Sequence, residues 1–276
     1  MDRIKIKGLT VFAKHGVYPE ENALGQKFVV SAVLHTDARR AGLADELSLS
    51  VDYGAVCHFI RDYVTAHTWK LIESVAEQLA QGLLLAFPAL EQVDLEIEKP
   101  WAPVGLPLET VSVEISRSRH TAYLALGSNM GDKKGWLDMA VKRLEERADC
   151  QVTAVSDYIV TEPYGGVAQD DFLNAALALR TLLEPEELLQ ALHEIEREAG
   201  RVRDVRWGPR TLDLDILLYD DQIVDTPELH IPHREMHLRE FVLRPLAQIA
   251  PWKRHPLTQE TVEEMREKLC GEKEID

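Results

Sequence analysis

Two carboxylates, Asp213 and Asp215, stand one residue apart inside the apolar run TLDLDILLY at 211–219. Side chains alternate along a strand, so both acids share one face while Leu212, Leu214 and Ile216 share the other. Residues i and i+2 of a strand lie about 6.5–7 Å apart between Cα atoms. Two carboxylates so placed can share a divalent cation, or hold two cations about 4 Å apart. Oxygen donors without His or Cys beside them favour Mg²⁺, which keeps waters and takes phosphate oxygens as further ligands. Just upstream, GRVRDVRWGPR at 200–210 carries Arg201, Arg203, Arg206 and Arg210. Guanidinium groups bind phosphates bidentately, and Gly200, Gly208 and Pro209 mark the segment as loop. An acid pair beside an arginine loop suits phosphoryl or pyrophosphoryl transfer, which depends on positioning and charge neutralisation. The plainer alternative is a strand whose acids pair those arginines as ordinary salt bridges.

Two neighbouring motifs carry weaker signals. His230, His233 and His237 have near-helical spacing, but Pro232 interrupts it and neither Cys nor Glu completes a catalytic zinc set. GSNMGD at 127–132 lacks the pattern of a phosphate-binding P-loop. Gly127 and Gly131 read as turn residues, with Ser128 and Asn129 near a substrate as the alternative.

The elements that must hold the acid pair begin near residue 120. TAYLALGSNMGD (121–132) is a short apolar strand entering a glycine-rich turn. A helix with Leu137, Ala140, Val141 and Leu144 on one stripe follows. QVTAVSDYIV (151–160) and FLNAALALRT (172–181) read as strands. Pro185 opens a helix that Gly200 ends, and the acid-bearing strand comes next. A last helix holds Val262, Met265 and Leu269. The order β-α-β-β-α-β predicts a ferredoxin-like α+β sheet over 120–276.

Residues 1–119 read as a separate domain of two strands, two helices and two strands. RIKIKGLTVFA (3–13) and KFVVSAVLHT (27–36) are β-rich and flank a turn-rich loop. Val56, Phe59, Ile60, Tyr63 and Val64 recur at helical spacing, as do Leu71, Ile72, Val75, Ala76, Leu79 and Leu83, before Pro88 stops the second helix. QVDLEIEK (92–99) alternates strictly, and TVSVEIS (110–116) repeats the pattern. Two hairpins leave open sheet edges, which predicts completion of the sheet by copies of the chain.

Composition bounds the function. A chain of 276 residues is comfortable for two domains. A formal net charge of −16 argues against general nucleic-acid or membrane-surface binding. No apolar run is long enough to span a bilayer, and the charged, alternating MDRIKIKGLT is not a signal peptide. Three widely spaced cysteines, Cys57, Cys150 and Cys270, predict reduced thiols and a cytoplasmic location.

Taken with LALGSNMGD, TEPYG, FLNAA and IPHREMHLREFVLRPL, the stretch GRVRDVRWGPRTLDLDILLY resembles the 6-hydroxymethyl-7,8-dihydropterin pyrophosphokinase family over essentially all of 121–276. The resemblance implies pyrophosphate transfer from ATP, the co-substrate, to the hydroxymethyl group of a pterin, with release of AMP. It implies that Asp213 and Asp215 hold two Mg²⁺, and that Arg201 and Arg210 act on the phosphates. Arg203 and Trp207 would sit on a lid, with Trp207 also at the pterin. Thr161 and Asn174 would bond the pterin, and Phe172 and Phe241 would stack on it. Arg203, Arg210, His233, Arg239 and Ile216 would contact the nucleotide. Some relatives carry an extra residue between the second and third loop arginines, a departure that touches Arg206.

In the first domain Asp52 is a plausible helix cap, Glu73 could favour a helix N-terminus, and Lys99 could be an edge-strand charge. Together, GLTVFAKHGVYPEENALGQKF through KPWAPVGLPLETVSVEI resemble the dihydroneopterin aldolase family over about 1–118. The resemblance implies a tunnelling (ββααββ) fold. It implies metal-free cleavage of dihydroneopterin to glycolaldehyde and 6-hydroxymethyl-7,8-dihydropterin, with no cofactor. Lys99 would be the general acid/base, and Glu21 would hold side-chain hydroxyls and assist proton movement. Glu73, with the backbone at Ile72, would anchor the pterin. Tyr53, from a neighbouring subunit, and the backbone at Val51 would line the pocket. Sites at subunit interfaces imply a homo-oligomer of four or eight chains. Alternatives for this domain are a pterin epimerase or a scaffold that only oligomerises the kinase.

Overall fold

In the computed structural model, residues 1–163, 169–200 and 210–271 are described, with the backbone continuing to 273. They form two compact units, Met1–Arg119 and His120–Asp276.

The first unit is an antiparallel sheet in chain order, β1 (Asp2–Ala13), β2 (Gln26–Thr36), β3 (Gln92–Lys99) and β4 (Val111–Ser118). Between β1 and β2 lies the short helix α1 (Pro19–Leu24). After β2 come α2 (Arg39–Ala44) and the long pair α3 (Tyr53–Ala66) and α4 (Ile72–Ala86). Asp52 caps α3, its carboxylate accepting from the Ala55 N–H at 3.0 Å. The period-2 pattern places Phe28, Val30, Leu34, Val93, Leu95 and Ile97 on one buried face. Val56, Ile60, Val64, Val75, Leu79 and Leu83 cover that face from the helices. Among the described residues, strands β1 and β4 each pair with one neighbouring strand, which leaves them as the outer edges of this sheet.

The second unit is built on β5 (His120–Ser128), α5 (Lys133–Glu145), β6 (Cys150–Val155), β7 (Ile159–Thr161), β8 (Phe172–Thr181), α6 (Pro185–Glu198) and β9 (Asp213–Tyr219). The sheet order is β6-β8-β5-β9, all neighbours antiparallel, with β7 also on β8. That is the order a β-α-β-β-α-β chain gives when each helix crosses one intervening strand. A small hairpin of β10 (Val224–Asp225) and β11 (His230–Ile231) precedes α7 (Glu240–Ile249) and α8 (Val262–Lys273). Helices α5 and α6 cover one face of the sheet through Leu137, Leu144, Leu188 and Leu192. Helices α7 and α8 cover part of the other face through Val242, Leu243, Leu246 and Val262. The uncovered remainder of that second face is where the acid pair lies.

Several elements differ from the sequence expectation, among them α1, which forms within the loop expected between the first two strands. The strand expected over 151–160 is two strands, broken at Ser156. There Ser156 keeps one backbone bond, its N–H donating to the Ala176 carbonyl at 2.9 Å, while its side-chain Oγ accepts from the Ala176 N–H at 2.9 Å. No element was expected over α7, which holds Pro245 inside it. Proline removes one intrahelical N–H and clashes with the preceding turn. Here the buried Val242, Leu243, Pro245 and Leu246 pack on the sheet and outweigh that cost. None of the described helices is long and apolar enough to cross a membrane. The three cysteines are free thiols.

Candidate active sites

In the second unit a cleft opens on the uncovered sheet face. Its floor is the small-residue pair Ala125 and Gly127 of β5. Gly127 pairs with Asn174 of β8 on one side and with Asp213 of β9 on the other. Ala125 pairs with Asp215 in the same way. The strand period therefore puts both carboxylates into the cleft and turns Leu214 and Ile216 into the core behind it. A register shift between Tyr123 and Leu124 then brings both Leu217 and Leu218 to the α7 side.

The cleft has two chemically distinct ends. At the acid end the Arg210 guanidinium donates to Asp213, and His233, Arg239 and Asp215 complete the wall. His233 Nδ1 accepts from the Glu235 N–H at 3.2 Å, so in the neutral ring Nε2 carries the proton. Burial first, then the Arg239 charge, pushes the His233 pKa down to about 4, against the opposing pull of Glu235 and Asp213. At the other end the rings of Phe172 and Phe241 line the cleft, with Asn174 beside Gly127 and Thr161 paired to Phe172. The buried Asn174 amide donates to Thr161 Oγ1 at 2.7 Å. Arg239 lies over the Phe241 ring, 5.7 Å from its centroid, and so links the two ends.

In the first unit Lys99, the last residue of β3, meets Glu21 of α1. Lys99 Nζ lies 2.5 Å from Glu21 Oε1, with both side chains about nine-tenths buried. The Gln26 amide donates to the same oxygen at 2.8 Å, and the Tyr18 N–H donates to Oε2 at 3.0 Å. Burial works to raise the Glu21 pKa, but the Lys99 ammonium and these two N–H donors overcome it and hold the carboxyl below its ordinary range. Gly16 makes the approach possible, since a Cβ there would stand 2.3 Å from the carboxylate. Behind the pair, His15 is fully buried and its Nδ1 accepts from the Trp69 N–H at 3.2 Å. Burial, with the Lys99 and His67 charges adding to it against the Val64 carbonyl, pushes His15 down to about 4, so it is neutral.

Residues 123–251 match the family described as 7,8-dihydro-6-hydroxymethylpterin-pyrophosphokinase, and residues 4–116 match the family described as dihydroneopterin aldolase. The second half is 48% identical over 134 residues to the 2-amino-4-hydroxy-6-hydroxymethyldihydropteridine pyrophosphokinase of Pseudomonas aeruginosa, covering 49% of this chain and 83% of that one. Both halves are matched by the folic acid synthesis protein FOL1 of Dictyostelium discoideum, 32% identical over 96% of this chain. The chain belongs to both families, one in each half. It spans 44% of the length of the Dictyostelium protein. The crystal structure of E. coli dihydroneopterin aldolase in complex with neopterin is 30% identical, covering 43% of this chain and all of that one, with a TM-score of 0.40.

In the pyrophosphokinase domain the cleft gathers Thr161, Phe172, Asn174, Arg210, Asp213, Asp215, His233, Arg239 and Phe241. Ile216 is not at the cleft surface, because its side chain lies in the core on the opposite face. Arg201, Arg203, Arg206 and Trp207 lie outside the described residues, as do the last two residues of TEPYG. The three histidines go to different places. His233 is in the cleft, His230 pairs with Asp225, and His237 packs against His255. Among the described residues no group of three metal-ligating side chains forms. Ser128 and Asn129 are buried beneath the cleft rather than lining it.

In the aldolase domain Glu21 and Lys99 come together, whereas Tyr53 and Glu73 are exposed and make no side-chain bond to that pair among the described residues. Val51 is buried and Ile72 half-buried, so each can offer its backbone to a ligand. Gln26 and the close approach at Gly16 escaped the sequence expectations, and Asn129, expected at most near a substrate, is instead buried. A polar residue next to a glycine reads as ordinary turn chemistry until its buried partners are known.

Proposed function

We propose that the chain catalyses two consecutive steps of folate synthesis. The aldolase domain releases 6-hydroxymethyl-7,8-dihydropterin, and the pyrophosphokinase domain transfers pyrophosphate to it from ATP. The observation that carries the kinase assignment is the two-ended cleft. Carboxylates and an arginine line one part of it, two aromatic rings and an amide another, on one sheet face. Phe172 and Phe241 offer ring faces to a flat heterocycle, and Asn174 with Thr161 reads its polar edge. The hydroxymethyl group then points along Gly127 towards Asp213.

Asp213 and Asp215 suit a divalent cation. They are half-buried carboxylates on one face, and Arg210 already supplies one positive partner. Two oxygen donors leave the remaining positions for water and phosphate oxygens, the arrangement that favours Mg²⁺. We assign two Mg²⁺ to them, which when bound neutralise the phosphate charge and orient the ATP chain. Arg210 stabilises the charge that develops on the transferred group. His233 and Arg239 hold the nucleotide end.

In the aldolase domain a proton leaves the hydroxyl on the second side-chain carbon of dihydroneopterin. The bond between the first and second side-chain carbons breaks, its electrons enter the dihydropterin ring, and glycolaldehyde departs. The first carbon then takes a proton and becomes the hydroxymethyl group. Lys99 carries these protons, and Glu21, 2.5 Å away, fixes the Lys99 head group and holds the hydroxyls. The ring accepts the electrons, so neither metal nor Schiff base is needed. Glu73 anchors the pterin and Tyr53 comes from a neighbouring chain. Open edges at β1 and β4, with exposed Phe12, Trp101, Leu106 and Val111, support a homo-oligomer of four or eight chains. The free thiols suit a reducing cytoplasm.

Incubation with dihydroneopterin, ATP and Mg²⁺ tests the whole proposal. Glycolaldehyde, AMP and the pterin diphosphate are expected in equal amounts. A side-chain stereoisomer in place of glycolaldehyde would overturn the aldolase assignment. AMP formation independent of the pterin would overturn the kinase assignment.

A further inference from the structure

Asn129 stands where β5 enters the glycine-rich turn, and it is 1% exposed. Its hydrogen bonds run to two segments far apart in sequence. Towards the acid end, its N–H donates to the Arg210 carbonyl at 3.0 Å, and its Oδ1 accepts from the Arg210 N–H at 2.7 Å. Towards the aromatic end, its Nδ2 donates to Gln169 Oε1 at 3.1 Å and to the Asp170 carbonyl at 3.2 Å. A primary amide has two N–H donors, and both are used here. The same amide therefore fixes the backbone that carries Arg210 and the backbone that leads into Phe172.

What hangs from each end lies in the cleft. Arg210 donates to Asp213, and both face the proposed phosphate position. Gln169 lines the cleft, and Phe172 follows Asp170 by two residues and pairs with Thr161 of β7. A shift of either segment must break bonds to a buried amide, which is costly. Lys133 holds the same stretch from outside, its Nζ donating to the Asp171 carbonyl at 2.7 Å, and its bond among the described residues is on that side. Asn129 alone among these residues touches both sides.

We propose that Asn129 is a positioning residue that couples the nucleotide end of the cleft to the pterin end, so that each ligand raises the affinity for the other. The proposal rests on the assignment above, that Arg210 meets ATP phosphates and that Phe172 and Asn174 meet the pterin. Coupling between two sites is reciprocal, so the same factor must appear whichever ligand is added first. Aspartate at 129 keeps the acceptor for the Arg210 N–H and loses both donors to the aromatic side. Asn129→Asp therefore cuts the link at one end only.

The test uses the full chain, 6-hydroxymethyl-7,8-dihydropterin, and a non-hydrolysable ATP analogue with Mg²⁺. Pterin affinity is titrated with and without saturating analogue, and the reverse titration is made. The native chain is expected to show a coupling factor of about tenfold or more. In Asn129→Asp that factor falls towards one, while each ligand alone keeps most of its affinity. A merely structural role would lower the melting temperature or weaken each ligand singly and leave the ratio unchanged. Should Asn129→Asp not fold, Gln169→Leu removes one of the two aromatic-side partners and is expected to lower the ratio partially. An undiminished ratio in the folded variant overturns the proposal, as does a ratio of one in the native chain. Failure of the native chain to bind either ligand would instead overturn the assignment of the cleft.

Discussion

Asn174 and Asp213 face one another across Gly127, each paired to it from a neighbouring strand. A side chain at 127 would rise into the gap between them. A Cβ there would lie 3.0 Å from Asn174 Oδ1 and 4.0 Å from Asp213 Cβ. Glycine is thus needed for close approach, not for backbone conformation. Gly127→Ala is expected to displace the Asn174 amide and weaken its bond to Thr161. Pterin affinity should fall by about tenfold, equal to about 1.4 kcal/mol, with AMP-yielding turnover at saturating pterin less affected. Fluorescence titration against the native chain measures the change, and unaltered affinity would mean the floor is not part of the site.

The acid pair carries a sharper expectation. Asp213→Asn and Asp215→Asn keep size and hydrogen-bonding shape while removing charge. Each should lower pyrophosphoryl transfer by about a hundredfold or more. The melting temperature should change little, because neither side chain is in the core. A variant with near-native AMP formation would remove the metal role from that residue.

The acid pair also illustrates how far the sequence carries. Alternation in DLDILLY placed Asp213 and Asp215 on one face before any coordinates, because period-2 patterning is a direct print of the pleat. It could not reveal the register shift that sends both Leu217 and Leu218 to one side, since an extra residue on one strand depends on its partner. The same alternation set Ile216 on the face away from the acids, against the nucleotide contact that the family resemblance implies. Pro245 opposes a helix over α7 by local propensity, and tertiary packing supplies the helix. In the aldolase domain the strands and long helices were legible from their periods. The Glu21–Lys99 contact was not, because 78 positions separate the partners in sequence and only the fold of α1 onto the end of β3 joins them.

Lys99→Ala leaves the Glu21 carboxylate nine-tenths buried without its cation. Glycolaldehyde release should fall by about 10²–10⁴-fold, the usual worth of a positioned acid/base. Stability of the first unit should fall by about 3–5 kcal/mol, as for a broken buried ion pair. Lys99→Ala combined with Glu21→Gln should recover part of that stability and none of the turnover. Stopped-flow product analysis and thermal melts separate the two effects.

Gln26→Leu tests the support of Glu21. The Gln26 amide donates to Glu21 Oε1 and is among the groups that lower its pKa. A carboxyl held below its unfolded value contributes stability that is present above the unfolded pKa and lost as pH falls through the folded one. Removing the donor moves the folded value upward, so that loss begins at higher pH. The acid-unfolding midpoint and the acid limb of the aldolase profile should both shift towards neutral. At neutral pH the lost bond to a charged group costs about 1.5–3 kcal/mol. An acid limb identical to that of the native chain would mean Glu21 does not titrate in turnover.

Mixing inactive chains tests whether each aldolase site is shared between subunits. Glu21 and Lys99 touch within one chain, so one chain carrying Glu21→Gln and another carrying Lys99→Ala cannot rebuild an intact pair at any site. Tyr53 is exposed and makes no bond to that pair within its own chain among the described residues. If Tyr53 completes a neighbour's site, Lys99→Ala chains mixed with Tyr53→Phe chains form some sites holding both native residues. The expected outcome after unfolding and co-refolding is restored glycolaldehyde release in the Lys99/Tyr53 mixture and none in the Lys99/Glu21 mixture. Restoration in neither mixture, with the oligomer intact by light scattering, would place Tyr53 and Lys99 in the same chain's site. A monomer by light scattering would remove the shared site altogether and leave the edges of β1 and β4 without the partner their outer position predicts.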